Sequence, residues 1–117
     1  MYNALVFIKN ILTTTAEINA QIPAANIYPL VASAKVAGDF VIYSVSRESK
    51  FTKDALMEFN CEVTVYADDI LEAAQKADII ETQLTNYKEI FGLSATVNYT
   101  EDYKKAFIKL NLTLKIN

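Results

Sequence analysis

The carboxylates between a predicted strand and a predicted helix are the residues best placed to do chemistry. Asp68 and Asp69 are adjacent, and Glu72 follows three residues after Asp69. Carboxylate oxygens are the ligands that Mg²⁺ and Ca²⁺ prefer. Acidic residues also suit a helix N-terminus, where they accept hydrogen bonds from free N–H groups and face the positive end of the dipole. Asp69 and Glu72 form a capping-box pattern, so we expect a helix start and no metal.

No other residue set in the sequence supports catalysis. Histidine is absent, which excludes a histidine-based triad, proton shuttle or metal site. Cys61 is the one cysteine, so no internal disulfide forms, and we expect its thiol on the inward face of a strand as a small hydrophobe. The phosphate-binding, zinc and redox motifs are missing too. The sequence therefore predicts a protein that is not an enzyme and needs no cofactor or metal.

Composition predicts one folded domain covering residues 1–117. Hydrophobic residues make up 52% of the chain and charged residues 21%, which is incompatible with a disordered chain. No stretch approaches the ~20 apolar residues of a membrane span, and no signal peptide is expected. The net charge of −3 argues against specific nucleic-acid binding, which needs a clustered basic surface. A small basic patch is still conceivable, although a solvated strand face explains the same lysines better: Lys104, Lys105, Lys109 and Lys115.

Residues 57–89 have the clearest pattern, a strand followed directly by a helix. From residue 57 to 67 apolar and polar residues alternate, which is typical of a strand with one buried face. From Ile70 onward the apolar residues recur at spacings of three and four, which indicates an amphipathic helix. Gly92 stands where a helix C-terminus favours glycine. The predicted inward side of this helix consists of Ile70, Ala73, Ala77, Ile80, Leu84 and Tyr87.

The N-terminal half predicts a helix and a strand. Residues 2–13 form the helix, Thr14 and Glu17 suggest one further turn, and residues 26–29 are expected to be extended because of Pro29. Residues 40–46 form a strand that is apolar on both faces at its start. We expect its second face to be covered either by residues 27–36 or by a neighbouring subunit, and the sequence favours neither.

Residues 47–55 form a polar connection between two strands of a long antiparallel hairpin. This connection exceeds the two to five residues common in hairpin loops, which suggests a functional role. Phe51 lies among charged residues and suits a contact surface, although it would equally well fold back onto its own hairpin. The hypothetical subunit or partner interface consists of Phe40, Ile42, Arg47, Glu48, Lys50, Phe51, Lys53 and Asp54.

The C-terminal part predicts a second hairpin, with strands at residues 93–100 and 104–116. We therefore expect an α+β fold: a four-stranded, mainly antiparallel sheet with two helices on one face. The order of elements is α-β-β-α-β-β.

The order and spacing of short motifs resemble a family of bacteriophage tail-completion or tail-terminator proteins, over about residues 2–90. The sequence departs from the family in lacking a proline before Phe40 and a glycine in the hairpin connection. The matching segments are Ile27-Tyr28-Pro29, Phe40-Val41-Ile42-Tyr43, Tyr66-Ala67-Asp68, Glu72-Ala73 and Ala77-Asp78-Ile79-Ile80.

The resemblance implies a structural role without catalysis. Members form a ring of identical subunits, often six-fold, at the head-proximal end of the tail, for tail completion and head–tail joining. The implied partners are other copies of the chain, the tail tube and head-connector proteins. The implied location is the virion tail, with assembly in the bacterial cytoplasm. The alternative interpretation is a small dimeric ferredoxin-like domain with a ligand-binding or regulatory function, because two helices on a four-stranded sheet also describe that fold.

Overall fold

A computed structural model describes residues 2–30, 38–51, 57–100 and 105–116, with side chains described except at 48–51, 57, 99 and 100. Within these residues, one sheet of five strands is accompanied by three α-helices and a short 3₁₀ helix. The mixed fold of helices and one sheet is as expected, with one strand and one short helix more than predicted. The elements are α1 (Tyr2–Thr14), α2 (Ala16–Asn19), the 3₁₀ helix (Ala24–Asn26), β1 (Ile27–Pro29), β2 (Phe40–Phe51), β3 (Met57–Ala67), α3 (Ile70–Leu84), β4 (Ile90–Thr100) and β5 (Lys105–Ile116).

The sheet has the strand order β1-β2-β3-β5-β4. β1 pairs with β2 in parallel, and every other neighbouring pair is antiparallel. The centre is the β3–β5 pair, which runs without interruption from Met57 opposite Ile116 to Ala67 opposite Ala106. Both central strands alternate between apolar and polar residues, apart from the aromatic residues Tyr66 and Phe107, which lie on the same face as the polar residues. That pattern fixes the register, because a slip by one residue would turn the apolar set towards solvent.

The hydrophobic core lies between the helices and one face of the sheet, called here the helix face. The buried apolar residues of β3 and β5 all belong to the predicted inward sets, including Val63 and Leu110, each with no exposed surface, whereas Thr64 and Lys105 were predicted outward and are also buried. Helix α3 packs on β5 and β3 through Ala73, Ala77, Ile80 and Leu84, all buried as predicted. Small alanine side chains bring the helix close to the sheet. The opposite face of the sheet is called the outer face.

Strand β1 was expected as an extended segment, and the structure makes it a fifth strand. Ile27, Tyr28 and Pro29 pair with Val41, Ile42 and Tyr43. The proline fits because it ends the strand at the sheet edge, where a missing N–H is tolerated. β1 therefore lies beside β2 and not over its second face. Residues 31–37, the rest of the predicted covering segment, lie outside the described residues.

The predicted polar connection at residues 47–55 is wrong in its first half. β2 continues to Phe51, with Arg47 opposite Phe59 and Phe51 opposite Met57. A register shift between Arg47 and Phe51 interrupts the ladder. The sequence of this extension, with Arg47, Glu48 and Lys50, has no alternation of apolar and polar residues that would indicate a strand. Residues 52–56 lie outside the described part of the chain.

The end of α3 also differs from the prediction. The helix stops at Leu84, where the N–H of Thr85 donates to Glu81 O and its hydroxyl to Thr82 O. Gly92 lies in β4, with φ +68°, inside a register shift between Phe91 and Ser94. A left-handed glycine that adds a residue to one strand is the signature of a β-bulge. Ile70 is 36% exposed at the first turn of α3 and is not an inward residue.

None of the helices in the described segments is long and apolar enough to cross a membrane.

Candidate functional site

The predicted interface residues lie along β2 and just after it. Phe40 and Ile42 are on the outer face, where Phe40 is almost fully buried at 1% and Ile42 is half-buried. Arg47 is exposed further along the strand. The structure thus puts these three on one strand. Glu48, Lys50 and Phe51 also belong to β2, without described side chains, and Lys53 and Asp54 lie outside the described residues.

A row of aromatic rings crosses the outer face at the end where β2 begins. The ring centroids of Tyr28 and Phe40 are 6.4 Å apart, edge to face. Phe40 stacks on Tyr66 at 4.7 Å, with 15° between the ring planes. Tyr66 contacts Phe107 at 5.5 Å. Because the rings pack against one another, the row holds four adjacent strands together and supports the residues around it.

The sequence alone does not predict this row. It depends on the parallel pairing of β1 with β2 and on β5 lying beside β3. The sequence does show an aromatic residue at an outward position in each of these strands. The strand order is needed as well to predict that these residues are adjacent.

A shallow polar groove of about 580 Å³ lies beyond the aromatic row on the outer face. Its floor carries hydroxyl, amide and carboxylate groups, and Ser46 Oγ donates to Asn60 O at 3.4 Å. Such a surface suits a polar protein partner, since its lining is more polar than apolar and carries many donors and acceptors. The side chains on the outer face here are Ser44, Ser46, Asn60, Glu62, Asn111 and Thr113.

The lysines of the outer face are paired with acids on neighbouring strands. Lys115 Nζ is 3.3 Å from Glu58 Oε1, and Lys109 Nζ is 3.9 Å from Glu62 Oε2. The Lys115 ammonium also lies 4.7 Å from the centre of the Phe91 ring. These pairs favour the interpretation of a solvated strand face over a free basic patch. Lys104 lies outside the described residues.

Asp68 and Asp69 take different partners. A carboxylate oxygen of Asp69 accepts a hydrogen bond from the Leu71 N–H at 3.2 Å, which makes Asp69 the N-cap of α3. Asp68 is 76% exposed and lies 2.5 Å from the ammonium of Lys105, whose side chain is only 9% exposed. Among the described residues, no group of three or more cysteine, aspartate or glutamate side chains is arranged to hold a metal. This junction starts a helix and neutralises a buried lysine.

Cys61 lies on the helix face of β3, with 1% of its surface exposed. Burial raises the pKa of its thiol to about 12. At neutral pH the thiol is therefore protonated and shielded, and a protonated thiol is a poor nucleophile. The structure brings no described acid–base or nucleophilic set to this residue.

The two edges of the sheet differ in how they are protected. At one edge, β1 pairs with residues 41–43 of β2, and the Leu30 N–H donates to Tyr43 O at 2.9 Å. Within the described chain, residues 44–51 of β2 have a strand on one side only. The other edge is β4, eleven residues with no charged residue and no proline. Residues 94–97 of β4 are exposed on both faces, with Val97 at 60%.

Comparison with known proteins finds a similar fold among the solved structures. No protein-family model matches the chain, and no curated protein matches it. Among solved structures, a chain from the virion of the native gene transfer agent (GTA) particle matches with a TM-score of 0.67 and 19% sequence identity. The match covers 92% of this chain and 90% of that one. At this identity the two chains share a fold across nearly their whole lengths.

Proposed function

We propose that this chain is a structural subunit of a phage-like virion, which assembles with copies of itself at the head-proximal end of the tail. The observation that carries the proposal is the shared fold with a chain of a gene transfer agent virion, over 92% of one chain and 90% of the other. The sequence resemblance to tail-completion proteins rests on separate evidence, the order of short motifs, and leads to the same class of protein.

The geometry supports an assembly role over a catalytic one. The described residues offer a protonated buried thiol, a capping aspartate and paired surface lysines. They also offer long strand edges and a polar outer face, which are surfaces for protein contact. A ring of identical subunits needs a heterologous contact that closes. The proposed partners are other copies of this chain, the tail tube and head-connector proteins.

Particle composition tests the virion assignment. Phage-like particles purified from the strain that carries the gene should contain this chain by mass spectrometry, and antibody labelling should mark the head-proximal end of the tail. A chain that is abundant in the lysate and absent from purified particles would contradict the proposal. Labelling elsewhere on the particle would contradict the tail position alone.

A dimeric ferredoxin-like domain is the second candidate, and the element order favours it specifically. Moving the first strand of the ferredoxin-like order β-α-β-β-α-β to the end gives α-β-β-α-β-β, the order of the four long strands and the two long helices here. Native mass spectrometry with negative-stain microscopy separates the two. A ring of several subunits supports the assembly role, and a tight dimer that binds a small molecule supports the alternative.

A further inference from the structure

We infer that the subunits join by strand addition, with residues 90–97 of β4 in one copy pairing with residues 44–51 of β2 in the next. This inference rests on the proposed self-assembly and assigns the surface through which it occurs. The occupant of each edge is a second copy of this chain.

The first argument is the state of the β4 edge. Exposed edges in soluble proteins are normally blunted by charges, proline or short length, because unpaired N–H and C=O groups recruit other strands. β4 has eleven residues, no charge and no proline. By contrast, β1 has three residues and ends in Pro29. Among the described strands, β4 has a neighbour on one side only, β5, and is therefore suited to pairing.

The second argument is that the other side of the sheet offers a matching strand. Beyond Tyr43, the described residues place β3 on one side of β2 and no strand on the other. This open length covers residues 44–51. Since β4 carries no charge, the charged residues of an incoming β2 segment meet no like charge there.

Strand direction provides the third argument. β2, β3, β5 and β4 alternate in direction across the sheet, so β2 and β4 run in opposite directions. A neighbour rotated about an axis along the strands presents its β2 antiparallel to β4. Repetition extends one antiparallel sheet from copy to copy, and a closed ring follows if the rotation closes.

The competing arrangement pairs β4 with β4 of a second copy. This two-fold contact closes at two subunits and uses the same edge twice. It leaves residues 44–51 of β2 with an open side in both copies. The heterologous contact gives a partner to both β4 and residues 44–51 of β2, and for that reason we favour it.

Cysteine cross-linking tests the contact. Ser94 and Ser44 both lie on the outer face, because Ser94 is opposite Asn111, Asn111 opposite Glu62, and Glu62 opposite Ser44. Ser46 is on the same face, two residues further along. Opposite residues of an antiparallel pair have Cα atoms within disulfide reach, at about 4.5–5.5 Å. In a Cys61→Ala background, Ser94→Cys is combined with Ser44→Cys or with Ser46→Cys, which samples two registers.

On oxidation, one of the two double variants should give a ladder of covalent dimers, trimers and larger species, while every single variant stays a monomer on a denaturing gel. Dimers from Ser94→Cys alone would overturn the inference in favour of the two-fold contact. Absence of cross-links in all variants would overturn it as well. Presence of the chain in purified particles would then still support the proposed function, so the two failures are distinguishable.

Lysine substitutions on β4 provide a second, independent test of the contact. Ser94→Lys with Thr96→Lys places two charges on the exposed edge and should abolish the oligomer in native mass spectrometry. Gln75→Lys with Thr82→Lys, at exposed positions on α3, is the matched control with the same number of added charges and should leave the oligomer intact. Circular dichroism confirms that each variant folds. An oligomer that survives both edge lysines would contradict the assignment.

Discussion

At the residue scale, adjacent aspartates have separate roles that their sequence does not distinguish. Asp69 caps α3 through the Leu71 N–H, and Asp68 neutralises the nearly buried ammonium of Lys105. Both are structural roles at the point where β3 becomes α3. The capping pattern in the sequence correctly indicated the helix start. The ion pair depends on β5 lying beside β3, which a local pattern does not contain.

The N-cap role of Asp69 predicts a measurable loss of stability. Asp69→Ala should lower the free energy of unfolding by about 1 kcal/mol, within a range of roughly 0.5–2, because the Leu71 N–H loses its acceptor. Urea denaturation at pH 7 measures the effect. Asp78→Ala, at an exposed position in the middle of the same helix, is the control and should change stability by less than about 0.5 kcal/mol. Equal losses in the two variants would contradict the capping role.

The buried thiol of Cys61 predicts a loss of stability at alkaline pH. Its pKa is about 12 in the folded protein and about 8.5 when unfolded, so the folded state holds the proton more tightly. This contribution is fully present below the unfolded pKa and is lost as pH rises towards the folded value. The slope approaches about 1.4 kcal/mol per pH unit for one proton.

The measurement is the difference in unfolding free energy between the wild type and Cys61→Ala, at pH 7 and at pH 10. Subtraction removes contributions common to both, including that of Tyr43, whose pKa is also raised by burial. The cost of truncating Cys61 should shrink at pH 10. A cost that is independent of pH would show that the thiol ionises as freely when folded as when unfolded.

At the scale of elements, the long regular strands and the long helices could be predicted from the sequence. β3 and β5 alternate between apolar and polar residues over most of their length, and α3 carries its apolar residues at helical spacing, so burial specifies each of them. Every second residue from Phe59 to Ala67 and from Ala106 to Leu114 faces the helices as expected. Such patterns are local, and one buried face is enough to produce them.

The elements that differ from prediction are those whose partners are distant or exposed. β1 is three residues long and exists because β2 accepts it, so its own residues show only an extended segment. The extension of β2 to Phe51 shows no alternation of apolar and polar residues in its sequence. Gly92 looks like a helix terminator in the sequence and serves a β-bulge in the fold. The proposed contact through β4 could not be predicted from the sequence for the same reason, because β4 lies at the edge of the sheet only as a result of the strand order.

The close packing of α3 on the sheet predicts sensitivity to larger side chains. Ala77 is 2% exposed and lies in the core cluster between α3 and the sheet. Ala77→Leu should lower the free energy of unfolding by about 1–3 kcal/mol, because the added carbons must displace packed neighbours. Gln75→Leu, on the exposed side of the same helix, is the control with the same final residue. Chemical denaturation compares the two, and similar stabilities would contradict close packing at Ala77.

At the scale of the whole molecule, the two faces of the sheet have different tasks. The helix face buries the core and fixes the fold. The outer face carries the aromatic row, the polar groove and the lysine–glutamate pairs, and it is available for contact beyond the row. The two edge strands of the sheet also differ, because β1 has three residues and ends in a proline, whereas β4 has eleven residues and no proline. Assembly through the edges would leave the outer faces of all copies continuous.

The charge pairs on the outer face predict weak interaction with DNA. The net charge is −3, and Lys109 and Lys115 each have a glutamate nearby. Replacing Glu58 and Glu62 by glutamine removes two negative charges and gives −1. The double variant should be retained more strongly than wild type on a DNA column at low salt, and the difference should vanish as salt rises. Equal retention at low salt would show that these glutamates do not mask the lysines.

The position of β5 in the interior of the sheet has a consequence for synthesis. β5 is the last of the five strands to leave the ribosome, yet both β3 and β4 pair with it. Before it emerges, the nascent chain holds the β2–β3 hairpin and α3 without the strand that joins them to β4. Completion of the core is therefore expected to wait for β5, because Val63 and Val65 of β3 gain their partners Leu110 and Ile108 only after that strand has emerged. During that interval β3 has its own open edge, and chaperones would act on this intermediate.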